Sequence, residues 1–245
     1  MKAPHQTLLT RYSPIVSTAL GVAAIMSLTA SPLPAATIFY TGIQADDSGT
    51  GFGTVLNLLT LQNNTSEWGS ALYNTLGAID TLGDAKPNSR IQTVAAMAGP
   101  LYNITSGNFG IIFNIAESAN QKEVVLNDFS LRFYTNPSNL TVYFDATYTA
   151  PVGGLNLVEV GSGTGNAGFL FSVSFTPTEA ANFFSNPNNS VGGYVLQSKP
   201  ITQTSGGQEN FFIASMPESA HMPEPSSSLL GLFGACMLCG MRRRR

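Results

Sequence analysis

The chain has 245 residues and a formal net charge of −3 at pH 7, and only 10% of its residues are charged. Four of its 11 basic residues are the last four of the sequence, so the remainder has no basic stripe of the kind that binds nucleic acid. Both histidines and both cysteines lie near the two ends, which excludes a Ser-His-Asp triad, a thiol nucleophile and a disulfide from the middle of the chain.

Residues 1–36 have the pattern of a secretory signal peptide. A positive n-region with Lys2 and Arg11 precedes an apolar stretch without charge over residues 15–29. Small residues at positions 30–36 offer cleavage sites. We therefore expect the domain that follows to be exported.

The exported domain is expected to span residues 37–221. It contains five basic and thirteen acidic residues, a formal charge of −8, and Gly, Asn, Ser and Thr supply most of its polarity. Its short apolar runs are separated by clusters of Gly, Pro, Asn and Ser, a pattern that indicates a sandwich or barrel. We predict an all-β fold, an antiparallel β-sandwich of jelly-roll type with one short helix.

Alternating apolar and polar residues predict nine strands. In chain order they cover residues 37–43, 54–62, 109–115, 129–134, 140–148, 155–160, 169–175, 192–197 and 210–214. Two further segments are ambiguous. Residues 66–76 have helical spacing that Gly69 weakens, and residues 91–98 fit either a short helix or a strand.

The fourth and fifth predicted strands should pair as a hairpin across the Asn-Pro-Ser-Asn turn at 136–139. Strict alternation places Tyr134 of the first strand on the outer face. In the second strand it places Val142 on the inner face, and Tyr143 and Asp145 on the outer face.

One helix has clear start and stop signals. Thr176 can cap it, and Glu179 three residues later completes a capping box. Pro177 suits the first turn. The helix should end near Phe184, before the Asn-Pro pair that follows.

Two short motifs resemble ligand-binding loops. Asp46 and Asp47 supply oxygen ligands in a glycine-containing loop, as calcium sites do, but Asn57 stands where an EF-hand has its bidentate Glu. A solvated turn is the simpler interpretation. The G-x-G-x-x-G string at 163–168 precedes a strand rather than a helix, which favours a glycine-rich hairpin connection. We predict no resident metal or cofactor.

The outer face suggests contact with carbohydrate. Tyr134 and Tyr143 are candidate glycan contacts on neighbouring strands, although cross-strand pairing explains them equally well. A glycosidase needs two carboxylates, and outward-facing Asp145 could line a groove. Glu179 is explained by its cap and Asp128 by a turn, so no pair stands out. We predict a non-enzymatic domain, with a carbohydrate-active enzyme or carbohydrate-binding module as the alternative.

Residues 222–245 have the features of a membrane-processing tail. Pro223, Glu224 and Pro225 precede three serines and an apolar run over 229–241. The sequence then ends with Arg242, Arg243, Arg244 and Arg245. A block of arginines cannot enter hydrocarbon, and the positive-inside rule places it on the cytoplasmic side.

The order of Pro-Glu-Pro motif, apolar helix and arginine cluster resembles the PEP-CTERM sorting signal of exopolysaccharide-producing bacteria. The resemblance covers about a tenth of the chain, and it implies recognition and cleavage near the motif by an exosortase, a membrane protease or transpeptidase. It further implies transient anchoring in the inner membrane, followed by display at the cell surface or release into the exopolysaccharide. An ordinary tail anchor is the alternative.

Overall fold

The computed structural model describes residues 36–45, 54–116, 123–136, 141–158 and 166–216. All of them belong to one compact unit of the chain. The predicted sorting tail (222–245), all but the last residue of the predicted signal peptide (1–36), and the candidate calcium ligands Asp46 and Asp47 lie outside these ranges.

The described residues form fifteen strands and two short helices, which confirms the all-β class. The strands are β1 (Thr37–Ala45), β2 (Leu56–Leu61), β3 (Ser66–Glu67), β4 (Gly69–Tyr73), β5 (Ile79–Gly83), β6 (Gln92–Thr93), β7 (Phe109–Ala116), β8 (Glu123–Leu126), β9 (Phe129–Asn136), β10 (Thr141–Tyr148), β11 (Leu155–Val158), β12 (Asn166–Ser174), β13 (Ser190–Val195), β14 (Ile201–Thr202) and β15 (Glu209–Ser215). The helices are α1 (Val94–Met97) and α2 (Pro177–Phe184). All nine predicted strands are present, and the ambiguous segments form β3 and β4 in one case and β6 and α1 in the other.

Two sheets contain these strands. The larger has the order β2-β15-β7-β12-β1-β10-β9-β13-β4-β5, with β6 also paired to β13, and the smaller has the order β11-β8-β14-β3. Neighbouring strands are antiparallel except for β1 and β10, which run parallel through the pair Thr37 and Thr147. The predicted antiparallel arrangement is therefore right for every described pair but one.

The larger sheet curls so that its two ends meet. The segment that follows β5 runs along the outer edge of β2, where Ala85 forms a bridge with Leu61. The backbone N–H of Lys86 donates to the carbonyl of Thr60 at 2.8 Å. These bonds satisfy backbone groups of β2 that would otherwise be an open sheet edge.

A cluster of aromatic side chains fills the space inside the curl. Phe129 of β9 lies with its ring centroid 5.1 Å from that of Phe211 on β15 and 5.3 Å from that of Phe171 on β12. These strands are well separated in the sheet order, so the contacts exist only because the sheet folds over itself. Burial of each ring contributes about 1.5–3 kcal/mol.

Helix α2 has the predicted capping box. The N–H of Glu179 donates to the Thr176 hydroxyl oxygen at 3.3 Å, and the N–H of Thr176 donates to the Glu179 carboxylate at 2.8 Å. The helix buries Phe183, whose ring packs 4.8 Å from that of Phe133 in the core. Of the helices in the described ranges, neither has the length and apolar character needed to cross a bilayer.

The β9–β10 hairpin forms as predicted, but its register is irregular. It shifts between Thr141 and Val142 and again between Val142 and Phe144. These two irregularities put Val142 opposite Tyr134, on the outer face, where it is 47% exposed. The prediction that Val142 faces inward is therefore wrong, because a bulge interrupts the alternation on which it relied.

Candidate functional site

The structure does not expose the first candidate glycan contact. Tyr134 is on the predicted outer face but is only 2% exposed, because Tyr73 at the end of β4 packs against it with ring centroids 5.0 Å apart. Burial raises the pKa of the Tyr134 hydroxyl. The prediction that this ring is available to stack on a sugar is therefore wrong, since a neighbouring hairpin covers it.

The second candidate, Tyr143, packs against the core instead of pairing with Tyr134. It lies at the register shift in β10, half-buried, with its ring 5.3 Å from that of Phe144. Burial, reinforced by the nearby charge of Glu179, raises the pKa of the Tyr143 hydroxyl. The two tyrosines therefore do not form the predicted pair of outward rings.

A different set of side chains occupies the outer face of β10, β9 and β13. Arg132 and Asp145 are directly opposite each other in the register of β9 and β10. The Arg132 Nε donates to Asp145 Oδ1 at 3.0 Å and its Nη2 donates to Oδ2 at 3.1 Å, a bidentate ion pair. Each side chain is about a third exposed, so the pair is accessible to a ligand.

Tyr194 of β13 completes this group, which we call the Arg132 cluster (Arg132, Asp145 and Tyr194). The guanidinium carbon of Arg132 lies 5.4 Å from the centroid of the Tyr194 ring, in cation–π geometry. The Tyr194 hydroxyl donates to Asp145 Oδ2 at 3.3 Å. Burial raises the pKa of Tyr194, and the hydrogen bond to Asp145 raises the pKa of the Arg132 guanidinium, so Arg132 stays cationic.

Small polar groups flank the Arg132 cluster. The hydroxyl oxygens of Ser130 and Thr147 are 2.9 Å apart, and Ser130 is opposite Tyr194 in the β9–β13 register. Gly192 is opposite Arg132 on β13 and adds no side chain beside the guanidinium. Ser130 itself is buried, but a planar cation, a carboxylate and the hydroxyls of Thr147 and Tyr194 lie side by side. Such groups can exchange hydrogen bonds with the hydroxyls of a sugar.

The other carboxylates of the enzyme hypothesis have separate structural roles. Asp128 binds Lys199 and a backbone N–H, and Glu179 caps α2. Within the described ranges, no three His, Cys, Asp or Glu side chains are grouped to hold a metal ion.

Sequence reasoning identified Asp145 as outward-facing but missed Arg132 and Tyr194 as its partners. Arg132 was detectable, because it alternates with the apolar residues of its strand. Tyr194 could not be recognised from the sequence as a partner of Asp145. It is 49 residues away, and only the β9–β13 pairing brings the two side chains together.

No protein-family model, no curated protein and no solved structure is significantly similar to the chain.

Proposed function

We propose that this protein is an exported surface or matrix protein of an exopolysaccharide-producing bacterium and a substrate of an exosortase. The observation that carries the proposal is the sequence of residues 222–245, in which Pro-Glu-Pro, an apolar run and four arginines follow one another. The signal peptide delivers the domain across the inner membrane, the tail anchors it there transiently, and cleavage near Pro223, Glu224 and Pro225 releases it. Nucleic acid is not among its partners.

The domain itself acts without catalysis, as a structural or glycan-contacting module shaped as a jelly-roll β-sandwich. The curled, almost wholly antiparallel sheet around an aromatic core supports this shape. The acidic charge and the neutral polar side chains support a role among polysaccharides. The Arg132 cluster, accessible and rich in hydrogen-bonding groups, is the surface that meets glycan.

The sorting step is tested by changing the motif. Replacing Pro223, Glu224 and Pro225 with alanine should leave the protein in the inner membrane with its C-terminus intact, because the exosortase no longer recognises it. The matched control replaces Ser226, Ser227 and Ser228 with alanine and should be released normally. Fractionation with an antibody against the domain measures both. Equal release of the two variants would overturn the exosortase assignment.

Glycan contact is tested by titrating the protein with the producing organism's own exopolysaccharide. Arg132→Met should weaken binding about tenfold or more, since a lost charge-assisted hydrogen bond costs roughly 1.5–3 kcal/mol. Arg90→Met is the matched control, because the Arg90 guanidinium donates only to carbonyls of its own loop among the described residues. Indistinguishable affinities of the two variants would refute the assignment of the Arg132 cluster.

A carbohydrate-active enzyme is the second candidate, favoured by the accessible carboxylate of Asp145. Incubation of the protein with polysaccharide, followed by measurement of reducing ends, distinguishes the two. We expect no turnover from the wild type. Turnover that disappears in Asp145→Asn would replace the non-enzymatic proposal.

A further inference from the structure

Strand β5 stands at one end of the larger sheet and pairs on one side with β4. The N–H of Asn74 donates to the carbonyl of Ala78, and the N–H of Asp84 donates to that of Trp68, both at 2.8 Å. In an antiparallel ladder, hydrogen-bonded pairs alternate with non-bonded ones. The register therefore makes Asp80 and Leu82 the residues of β5 whose backbone groups bond β4.

The remaining residues of β5 direct their backbone groups the other way. By the same alternation, the N–H and C=O groups of Ile79, Thr81 and Gly83 point to the outer edge. Among the backbone bonds of the described residues outside regular elements, none ends on these three residues. Within the described ranges, the edge is thus a row of donors and acceptors to which no backbone group is bonded.

This edge has neither lysine nor proline, two of the usual protections against strand addition, and the left-handed φ of 65° at Gly83 turns the chain only at the C-terminal end of the strand. Proteins normally block an exposed edge with lysine, proline or a bulge. Strand β5 has one charge, Asp80, and exposes apolar side chains instead: Ile79 is 44% exposed and Leu82 54%, while Leu76 in the adjoining turn is 86% exposed. Backbone groups and apolar side chains together make β5 a surface for another strand.

We propose that β5 pairs antiparallel with β5 of a second copy of this chain, with Thr81 on the two-fold axis. This register places Thr81 opposite its own copy and Ile79 opposite Gly83 of the second copy, so the outward groups of both strands meet. It places each Asp80 opposite an apolar Leu82 and never opposite another Asp80, so the pairing opposes no like charges. Because the β5 edges of both copies pair with each other across the two-fold axis, the dimer is closed, and the two large sheets join into one.

A proline substitution on the outward-facing position tests the dimer. The full-length chain in mild detergent should sediment as a monomer–dimer mixture over a concentration series. Thr81→Pro should weaken association about tenfold or more, because it removes an outward N–H while leaving the β4 bonds of Asp80 and Leu82 in place. Thr75→Pro is the matched control: it puts the same residue in the turn of the same hairpin, where proline is favoured, and should dimerise normally.

Thr81→Lys provides a second variant that keeps the backbone donor. It sets two like charges against each other at the axis and should also weaken the dimer. A wild type that is monomeric at every concentration overturns the proposal. So does a dimer that survives both changes at Thr81, which would locate the contact elsewhere, for example in the tail.

Amide hydrogen exchange supplies an independent pattern. As the protein concentration rises, the outward amides of Ile79 and Thr81 should exchange more slowly. Those of Asp80 and Leu82 should not change, because they already bond β4. Pairing through β5 would be contradicted if all four amides were protected equally, or if the protection did not depend on protein concentration.

Discussion

At the scale of single residues, the clearest stabilising contact is made by Asp128. Its carboxylate is almost fully buried, and it accepts from the backbone N–H of Ala150 at 2.9 Å and from the Lys199 ammonium at 2.6 Å. Burial alone would raise the pKa of Asp128, but these hydrogen bonds and the Lys199 charge outweigh it and hold the pKa below its ordinary value. One carboxylate thus joins the start of β9 to two segments that are distant in sequence.

This lowered pKa makes stability depend on pH. The ionised form of Asp128 stabilises the fold above the unfolded-state pKa of about 3.9, and this contribution disappears as the pH falls through the lower folded-state value. At pH 7, Asp128→Asn should lose on the order of 1–3 kcal/mol of unfolding free energy. The difference in unfolding free energy between wild type and Asp128→Asn should shrink below pH 4.

Thermal unfolding from pH 2 to pH 7 measures this dependence. Asp80→Asn, which changes an exposed carboxylate on β5, is the control and should alter the melting temperature little at any pH. If the melting temperatures of wild type and Asp128→Asn differed by the same amount at every pH from 2 to 7, the lowered pKa of Asp128 would be contradicted.

At the scale of elements, α2 was predictable because its signals are local. The residues that begin it, cap it and end it lie within eleven positions of one another. Strand β5 was missed for the opposite reason: it is exposed on both faces, so its sequence shows no alternation of apolar and polar residues. Bulged β10 was found as a strand, but its inward and outward residues were partly misassigned.

The cap of α2 should have a measurable effect on stability. Thr176→Ala removes the hydroxyl that accepts from the N–H of Glu179 and should cost about 1 kcal/mol of unfolding free energy. Thr178→Ala, an exposed first-turn substitution, is the matched control and should have little effect. Urea denaturation of both variants measures the difference. Equal midpoints would mean that the capping box contributes nothing to stability.

At the scale of the whole molecule, the fold depends on the contact between β2 and β13, which closes the curled sheet. Leu58 of β2 is fully buried, and Gly193 of β13 lies directly beneath it. A Cβ atom on Gly193 would lie 2.9 Å from a methyl carbon of Leu58. A side chain at position 193 would therefore push the two strands apart.

The two positions should be coupled. Leu58→Ala leaves a cavity and should cost 2–5 kcal/mol, and Gly193→Ala overpacks the same point and should cost roughly 1–3 kcal/mol. In the double variant the added methyl occupies part of the cavity, so its cost should be less than the sum of the two. Denaturant unfolding of the four proteins tests this cycle, and strict additivity would show that β2 does not pack on β13.

The sequence by itself determined the properties that depend on neighbours along the chain. Periodicity established the all-β class and the positions of nine strands, because each strand must turn its apolar side chains to one face. The capping signals located α2, since a helix end is satisfied within one turn. The features of the two terminal segments are likewise local, and the sorting function rests on them as a proposal.

Only the tertiary structure decided which strands adjoin and which side chains stay accessible. It placed Tyr134 under Tyr73, turned Tyr143 toward the core, and assembled the Arg132 cluster from three strands. Among the described strands it also placed β5 at the end of the larger sheet, with a partner on one side only, and it closed β2 against the segment that follows β5. The physical reason is that burial and pairing are properties of contacts between residues far apart in the chain, which no local pattern of amino acids encodes.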